Sequence, residues 1–458
     1  MRVLLLGGGA REHAMAAAIV RGGSEVVAVL KNRNPGITRV ALTYEIADET
    51  DAKTVVAAAR KWQPQVAVVG PEAPLAAGVT DALAKARVPV ASPSKAAAEV
   101  ETDKAFLRDL MRRHALPGAV EARSFSTNEG LREYVRSLGE VAVKPVGLTG
   151  GKGVKVSGDQ LPTPDDAVAY AEKVLAERIG GASVVIEEKL EGEEFTLMAF
   201  CDGTRLAPMP CVQDHKRALE GDRGANTGGM GSYSDRGGLL PFLAAADRDE
   251  ALRILQAIVD ALAKEGRPYR GAVYGQFMLT KSGPKVVEIN ARFGDPEAMN
   301  VLTLLSSNYA EICAAMAAGK LRTKVHFEDA ATVCKYVVPK GYGVDSVDAR
   351  GASTSPSAAA SAAGGAGANT PVEVDEKSIE AQGAKTYYAA VTTGEGKITM
   401  SGSRALGIVA KGGSIEDAER KVEQALKHVK GEIRVRHDIG TRALLDARVE
   451  HMRKVRGG

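Results

Sequence analysis

Residues 141–156, VAVKPVGLTGGKGVKV, place a glycine-rich loop between two segments that alternate as β-strands do. Glycines let backbone N–H groups approach phosphate oxygens closely, and Lys144 and Lys152 add positive charge. The segment is not a Walker A loop, because three residues separate Gly147 from Gly151 and a strand follows instead of a helix. The pattern predicts a strand–loop–strand lid over the phosphates of a nucleotide, with an ordinary glycine-rich hairpin as the alternative.

A second segment predicts a β-hairpin that carries a metal site. Apolar strands at 272–279 and 285–290 flank a Lys-Ser-Gly-Pro turn. Glu288 and Asn290 are two residues apart and share a face, and folding about the turn brings Gln276 close to opposite Glu288. A carboxylate and two amide oxygens suit a hard cation such as Mg²⁺. The alternative is a solvated face of the hairpin.

The first hundred residues alternate strand-like and helix-like segments, which predicts a parallel sheet covered by helices. GGGAREHA, residues 7–14, occupies the first strand–helix turn, where free N–H groups and the helix dipole favour a phosphate. Two details oppose a dinucleotide site. Glu12 stands where the fingerprint has its third glycine, and the second strand ends at Lys31 instead of the acidic residue that would hold a ribose. A purely structural turn is the other alternative.

Capping signals predict three further helices. One is expected over 102–117 with Thr102 as its N-cap, one over 164–177 capped near Thr163, and an amphipathic one over 414–429.

Composition excludes several classes of protein. A chain of 458 residues is too long for one core and predicts three or four domains. A net charge of +3 and 4% aromatic residues give no reason to expect nucleic acid as a partner. Four cysteines without CxxC spacing indicate reduced thiols, and no apolar run has the length of a membrane span. With no signal peptide expected, the predicted location is the cytoplasm.

The lid, the hinge EEKLEGEE (187–194) and the strand EIN (288–290) resemble those of the ATP-grasp ligases. Further motifs narrow the resemblance to the glycinamide ribonucleotide synthetase family, with a lid and a Gln276 similar to its archaeal branch. These motifs are GGGAREHA (7–14), VVGPEAPLAAG (68–78), QDHKR (213–217), NTGGMGSYS (226–234), ARFGDPE (291–297) and RHDIG (436–440). They follow the family's order and cover essentially the whole chain.

The resemblance implies a multidomain α/β fold. Residues 1–103 would form a Rossmann-like parallel-sheet domain that binds phosphoribosylamine. Residues 104–325 would form the ATP-grasp domain, with a small lid subdomain at about 117–187. Residues 326–458 would form a C-terminal α+β domain. Within it, the low-complexity segment 351–369 has almost no large apolar groups and is expected to be a mobile surface loop.

The resemblance also implies which residues hold ATP. The backbone near Glu188 and Leu190 would bind the adenine edge, and Glu194 the ribose hydroxyls. The expected nucleotide-binding set is Lys104, Lys144, Gly150, Gly151, Lys152, Gly153, Glu187, Glu188, Leu190 and Glu194. The expected catalytic residues are Lys144, Lys152, Arg292 and Asp214. The expected ligands of Mg²⁺ or Mn²⁺ are Gln276, Glu288 and Asn290.

Other motifs are expected to bind the remaining substrates, phosphoribosylamine and glycine. The expected residues are Gly9, Arg11, Glu12, His13, Pro71, Glu72, Asp214, His215, Lys216, Asn226, Thr227, Gly228, Gly229, Met230, Arg292 and Asp295. His215 could be a general base or a hydrogen-bonded loop residue, and both interpretations stay open. Arg292 offers a bidentate fork for a carboxylate or phosphate, and Asp295 has the charge that suits an amine.

The implied reaction converts glycine to glycyl phosphate with ATP, after which the amine of phosphoribosylamine attacks. The products would be glycinamide ribonucleotide, ADP and phosphate, in de novo purine biosynthesis. A monomer without nucleic-acid or membrane partners is expected. The alternatives are a sibling ATP-grasp ligase with another carboxylate or amine, and a catalytically silent nucleotide-binding protein.

Overall fold

The computed structural model describes residues 1–149, 153–321, 324–344, 368–394 and 396–457. Within them, the fold is mixed α/β, as expected, and begins with a parallel sheet. No helix of the described residues is long and apolar enough to cross a membrane. All four cysteines are free and buried.

The N-terminal part is a four-stranded parallel sheet in the order β3-β2-β1-β4. Its elements are β1 (Arg2–Leu6), α1 (Ala10–Arg21), β2 (Glu25–Leu30), α2 (Pro35–Val40), β3 (Thr43–Ile46), α3 (Ala52–Trp62), β4 (Val66–Val69), α4 (Glu72–Ala77) and α5 (Val79–Lys85). The strands are almost wholly apolar because both faces of a parallel sheet are covered by helices. Strand β3 was not predicted, since its TYEI sequence carries little apolar signal.

Two helices connect this sheet to the next part: α6 (Glu99–Thr102) and α7 (Lys104–Arg113). The predicted cap Thr102 is wrong. Asp103 is the N-cap of α7, and its side chain accepts from the Phe106 N–H at 2.9 Å. Helix α7 ends at Arg113, because Ala115 takes a left-handed conformation with φ of 48°.

A small antiparallel sheet with its own apolar core follows, in the order β5-β8-β6-β7. Its elements are β5 (Ala122–Phe125), α8 (Leu131–Leu138), β6 (Val141–Pro145), β7 (Lys155–Val156), α9 (Pro164–Ala176) and β8 (Val184–Glu188). The predicted strand–loop–strand is present, since Val143 pairs with Lys155 across β6 and β7. Helix α9 begins after the predicted cap Thr163, which forms a capping box with Asp166.

The central part is an antiparallel sheet in the order β10-β9-β15-β16. Its elements are β9 (Glu193–Asp202), β10 (Leu206–Pro208), β11 (Gln213–Asp214), β12 (Arg217–Leu219), β13 (Arg223–Asn226), β14 (Gly231–Ser234), α10 (Ala245–Lys264), β15 (Arg270–Thr280), β16 (Gly283–Asn290), α11 (Glu297–Leu304) and α12 (Tyr309–Ala318). Strands β15 and β16 form the predicted hairpin, and a register shift after Gln276 separates its two ends.

The C-terminal part shares a sheet with the central part, because β14 pairs with β17. Its elements are β17 (Ala331–Pro339), β18 (Ala368–Val374), α13 (Glu376–Ala381), β19 (Ala384–Tyr388), β20 (Val391–Gly394), β21 (Lys397–Ser401), β22 (Leu406–Gly412), α14 (Ile415–Leu426), β23 (Val429–Gly431), β24 (Ile433–Arg434) and α15 (Arg442–Arg456). Helix α14 ends before the predicted 429, where β23 begins. Of the predicted loop 351–369, residues 351–367 lie outside the described residues, and the last two belong to β18.

Candidate active site

Glu288 and Asn290 lie on β16 and share a face of it, as expected. Gln276 pairs with Glu288 across the hairpin, which confirms the predicted register. The Asn290 side chain donates to Glu288 Oε1 at 3.4 Å. Burial alone would raise the pKa of Glu288, but the charges of Lys216, Lys104 and Lys144 hold it at about 2. An ionised carboxylate therefore faces three lysines.

Gln276 is fully buried, and its amide is engaged at both ends within the protein. Its nitrogen donates to Glu194 Oε2 at 2.7 Å, and its oxygen accepts from the hydroxyls of Thr196, at 3.1 Å, and Tyr274. The predicted contact of Gln276 with a metal stays a prediction, and its amide nitrogen orients Glu194. No group of three or more His, Cys, Asp or Glu side chains in the described residues could hold a metal.

The lysines that face Glu288 come from different parts of the chain. Lys104, on the first turn of α7, donates to the carbonyl of Gly147 at 3.1 Å, which joins it to the lid loop. Burial lowers the pKa of Lys104. Lys144, on β6, is 2.7 Å from Glu187 Oε2 and donates to the carbonyl of Val287 at 3.1 Å. Positively charged side chains from the lid and from the central part thus lie close together beside β16.

The carboxylates of Glu187 and Glu188 both bond to other residues of the protein. Glu187 is buried and accepts a bidentate pair from Arg108 at 2.7 and 2.9 Å, in addition to Lys144. Burial opposes ionisation, yet these cations lower the pKa of Glu187. Glu188 accepts from the Glu121 N–H at 2.9 Å. The predicted nucleotide contact of Glu187 stays a prediction, and its carboxylate positions Lys144.

The tip of the lid falls largely beyond the described residues. Gly150, Gly151 and Lys152 lie outside them, so their predicted roles stay predictions. Gly153 accepts a hydrogen bond from the Tyr170 hydroxyl at 2.8 Å. Leu190 follows β8 in the connection to β9, where the hinge was expected.

Glu194, Asp214 and Lys216 lie together on the other side of Glu288. Lys216 is 3.2 Å from Glu194 Oε2. Burial raises the pKa of Asp214 to about 8 against the effect of Lys216, with support from Glu297, Glu194 and Glu288. The structure shows no hydrogen bond from a described residue to the Asp214 side chain. A carboxyl group that faces the cleft unbonded is available to a ligand.

His215 follows β11 and stands between Asp214 and Lys216 in the chain. Its ring is buried 5.7 Å from that of Tyr233, and no described residue bonds either ring nitrogen. Burial lowers its pKa to about 3, and the charges that act on it belong to Arg448, Arg436, Asp222 and Asp438. The roles predicted for His215, in substrate binding and as a general base or as a hydrogen-bonded loop residue, stay predictions, and both of its buried ring nitrogens lack a partner among the described residues.

The motif RHDIG (436–440) also lies near His215. Arg436 is fully buried and bonds Asp222 at 2.9 Å and Asp438 at 2.7 and 2.9 Å. The charges of Arg436 and Asp438 act on His215.

Helix α15 packs on the rear of β9. Arg448 is 3.3 Å from Glu193 Oε2, and His451 Nδ1 is 2.6 Å from Glu193 Oε1. Glu193 is buried and directly precedes Glu194. Strand β9 thus presents Glu193 to the C-terminal helix and Glu194 to the cleft.

Three buried residues of the site were missed from the sequence. The Thr196 hydroxyl lies 3.1 Å from the Tyr274 hydroxyl and 3.1 Å from Glu297 Oε1. Thr196 lies two residues after Glu194, and Tyr274 two before Gln276. Period-two spacing from the assigned residues could have placed both on the site's face.

The loop 226–230 is held from the C-terminal part. Arg404 Nη1 donates to the carbonyls of Gly228 at 2.6 Å, Gly229 at 3.2 Å and Asp295 at 3.0 Å. Thr227 bonds the Lys216 carbonyl at 2.8 Å, and Asn226 pairs in β13 with Arg217. These contacts fix the loop beside QDHKR.

Met230, predicted to bind substrate, is a core residue. It is fully buried, its N–H bonds the His215 carbonyl at 2.7 Å, and its carbonyl accepts from Tyr336 at 2.9 Å.

Arg292 and Asp295 both lie in a charged cluster at the junction of the N-terminal and central parts. Arg292 is 2.9 Å from Glu101 and 3.6 Å from Glu72. Asp295 accepts from the Tyr336 hydroxyl and is 3.4 Å from Arg404. Part of each predicted substrate-binding group is therefore occupied by the protein itself.

The turn at 7–14 is organised by Glu12. Its carboxylate accepts from the Gly9 N–H at 2.7 Å and pairs with Arg11 at 2.6 Å. Arg11 also donates to the Phe293 carbonyl at 3.0 Å, which joins the turn to ARFGDPE. Pro71, the N-cap of α4, packs against Gly7, where any Cβ would lie 2.7 Å from its ring.

His13 points away from this turn towards the C-terminal part. Its Nδ1 accepts from the Tyr388 N–H at 2.9 Å, the two rings stack, and burial lowers its pKa to about 4. The predicted substrate contact of His13 stays a prediction, and its Nδ1 is engaged by the C-terminal part.

Comparisons with known proteins agree with the architecture. Three models of phosphoribosylglycinamide synthetase match in order: the N domain over residues 1–101, the ATP-grasp (A) domain over 102–298 and the C domain over 332–442. The exact domain limits predicted above stay predictions.

Similar proteins cover the full chain. Phosphoribosylamine–glycine ligases of Methanobrevibacter smithii and Methanothermobacter thermautotrophicus are each 48% identical, over 99% and 100% of this chain and 100% of each relative. The crystal structure of the Thermotoga maritima phosphoribosylamine–glycine ligase matches with a TM-score of 0.78 at 26% identity, over 96% of this chain and 100% of that one.

Proposed function

This chain belongs to the phosphoribosylglycinamide synthetase family, and we propose that it ligates glycine to 5-phosphoribosylamine. ATP drives the reaction, and the products are glycinamide ribonucleotide, ADP and phosphate in de novo purine biosynthesis. The observation that carries this proposal is the cluster of lysines beside Glu288: Lys144 donates to the carbonyl of the adjacent Val287 at 3.1 Å, and Lys216, Lys104 and Lys144 lower the pKa of Glu288 against the effect of burial. Such a site can neutralise the charge of a phosphoryl group in transfer.

Glu288 and Asn290 fit a divalent cation. A carboxylate that stays ionised, with an amide oxygen on the same strand face, matches the ligands of Mg²⁺ or Mn²⁺, which takes phosphate oxygens and water as its other ligands. When bound, the ion would neutralise phosphate charge. Mg²⁺ is the cation we propose for routine turnover, with Mn²⁺ as a substitute.

The side chains divide the work between the substrates. Lys144 and Lys104 are placed for the phosphates, and Glu194, held by Gln276, for the ribose of ATP. Glycine becomes glycyl phosphate, since its own carboxylate is a poor electrophile. Asp214 is the unbonded carboxyl group nearest this chemistry and contacts the attacking amine. Lid closure excludes water, because an acyl phosphate hydrolyses.

The test is ADP formation that depends on both glycine and freshly prepared phosphoribosylamine, with glycinamide ribonucleotide identified as the product. A sibling ligase would form ADP with another carboxylate or amine, and a silent nucleotide-binding protein would form none. A monomeric state and a cytoplasmic location stay predictions, to be checked by light scattering and by fractionation.

Replacement of Arg404 by methionine should raise the KM for glycine about tenfold and change the KM for ATP less than twofold. The variant loses three hydrogen bonds to the carbonyls of the loop 226–230 and of Asp295, and one charge-assisted contact is worth roughly this factor. Steady-state kinetics with each substrate varied measure the effect. Arg420→Met is the control, because Arg420 is exposed on α14 and pairs only with Asp417 among described acidic residues. Equal loss for ATP and glycine would contradict a local role for Arg404.

A further inference from the structure

Glu49 is a buried carboxylate for which the described residues supply no hydrogen-bond donor. It follows β3, and only 8% of its surface is exposed. Its Oε2 is sealed from solvent without a partner. A buried charge without a partner is costly, and proteins rarely keep one unless something else satisfies it. The arrangement indicates a group that awaits a donor from a ligand.

The position of Glu49 in the fold indicates where its ligand would bind. Strands β1, β2 and β3 are parallel, so residues 7–9, Lys31 and Glu49 follow them at one edge of the sheet. Ligands of open α/β sheets bind at this carboxyl edge. Burial and the nearby Glu12 raise the pKa of Glu49 to about 7, and Lys31 and Arg11 are the cations that act on it. Glu49 therefore lies beside the turn GGGAREHA.

The neighbouring acid cannot fill the same role. Both carboxylate oxygens of Glu12 are engaged, one by the Gly9 N–H and one by Arg11. Glu49 is thus the acceptor at this edge that is left for a ligand's O–H groups. Its Oε1, which is neither bonded by a described residue nor sealed like Oε2, can accept from the hydroxyls of a vicinal diol, whereas an ionised carboxylate repels a phosphate. The ribose-binding acid that is absent after the second strand, where Lys31 stands, is supplied here after the third.

We propose that Glu49 binds the ribose hydroxyls of the phosphoribosyl substrate and determines the preference for ribose over 2-deoxyribose. This inference rests on the proposed function, since it deepens the account of that substrate's site. The phosphate of this substrate would then bind at the glycine-rich turn, and its amine would lie in the cleft near Asp214.

The test measures binding of ribose 5-phosphate and 2-deoxyribose 5-phosphate to the full-length protein by calorimetry. The unmodified protein should bind the ribose compound about tenfold more tightly, as expected for one charge-assisted hydrogen bond. In Glu49→Gln the preference should fall below threefold. The KM for phosphoribosylamine should rise about tenfold, while the KM values for ATP and glycine stay within twofold.

The control is Asp48→Asn, because Asp48 is the adjacent acid, is exposed, and its side chain bonds only Thr50 among the described residues. It should keep the full preference. Glu49→Gln is near-isosteric and removes a desolvated charge, so its melting temperature should equal or exceed that of the unmodified protein.

Three results would overturn the inference: a preference that survives in Glu49→Gln, no preference in the unmodified protein, or a parallel rise in the KM for ATP. Failure of the proposed function shows separately, as absence of ADP formation in the unmodified protein while calorimetry still reports on the sugar phosphates. Glu49→Asp, which keeps the charge on a shorter chain, should recover part of the preference.

Discussion

Glu288→Gln is expected to lower turnover roughly 100- to 1,000-fold while the protein stays folded. The amide keeps the shape of the side chain but removes the only carboxylate of the Glu288–Asn290 pair. It also leaves the charges of Lys104, Lys144 and Lys216 less compensated. Single-turnover ADP formation across a Mg²⁺ titration, with melting temperature recorded in parallel, measures both consequences. The shift in Mg²⁺ dependence separates a metal role from a purely electrostatic one.

Glu133→Gln is the matched control, since Glu133 is exposed on α8 and the same chemical change there should alter nothing. Near-normal turnover in Glu288→Gln would remove the metal assignment. Acidification offers an independent check. The carboxylate of Glu288 contributes stability above its ordinary pKa of 4.5 and loses it as the pH falls towards about 2. The variant lacks this contribution and should lose less stability over that range.

Lys144→Met is expected to lower kcat/KM for ATP by about 100-fold, with little effect on the affinity for ribose 5-phosphate. The ammonium group faces Glu288 from the lid, and methionine keeps most of the apolar stem. The fold should survive, because Glu187 keeps its bidentate pair with Arg108 and is not left as an unpaired buried charge. Steady-state kinetics and calorimetry with a non-hydrolysable ATP analogue make the comparison.

Lys155→Met supplies the control from the same small sheet. Lys155 pairs with Val143 across the strands, but its amine lies 4.2 Å from the centre of the Tyr170 ring. It should bind nucleotide almost normally. If Lys144→Met behaved like this control, Lys144 would serve only as a partner for Glu187.

The sequence was sufficient to predict features that depend on residues close together in the chain. A four-residue turn and two apolar strands were enough to set Gln276 opposite Glu288, because register in a hairpin follows from the turn. The cap of α9 was predicted for the same reason. Thr102 was misassigned in place of Asp103, since two neighbouring residues carried equally good capping side chains.

The sequence left the partners of several residues unpredicted for one reason. His13 and His215, which were predicted to bind substrate, and Arg436 all have partners distant in the chain. His13 meets Tyr388, 375 residues away, and Arg436 bonds Asp222 across 214 residues. Neither partner can be deduced from local periodicity. Gln276 was placed on the right face, but its engagement by Thr196 and Glu194 depended on a third strand.

Glu193 and Glu194 point to opposite faces of β9, and this arrangement has a consequence for how the protein folds during its synthesis. The ribosome makes Glu193 and Glu194 long before helix α15, because Arg448 and His451 follow Glu193 by 255 and 258 residues. Domains generally fold in order of synthesis, so the N-terminal sheet can form while translation continues. Until α15 emerges and docks, however, the Glu193 side chain has the Gln213 amide, 3.2 Å away, but neither Arg448 nor His451. We therefore expect the nascent chain to pass through a stage in which β9 is formed without its contacts to α15, and we expect full competence to bind ATP only late in translation.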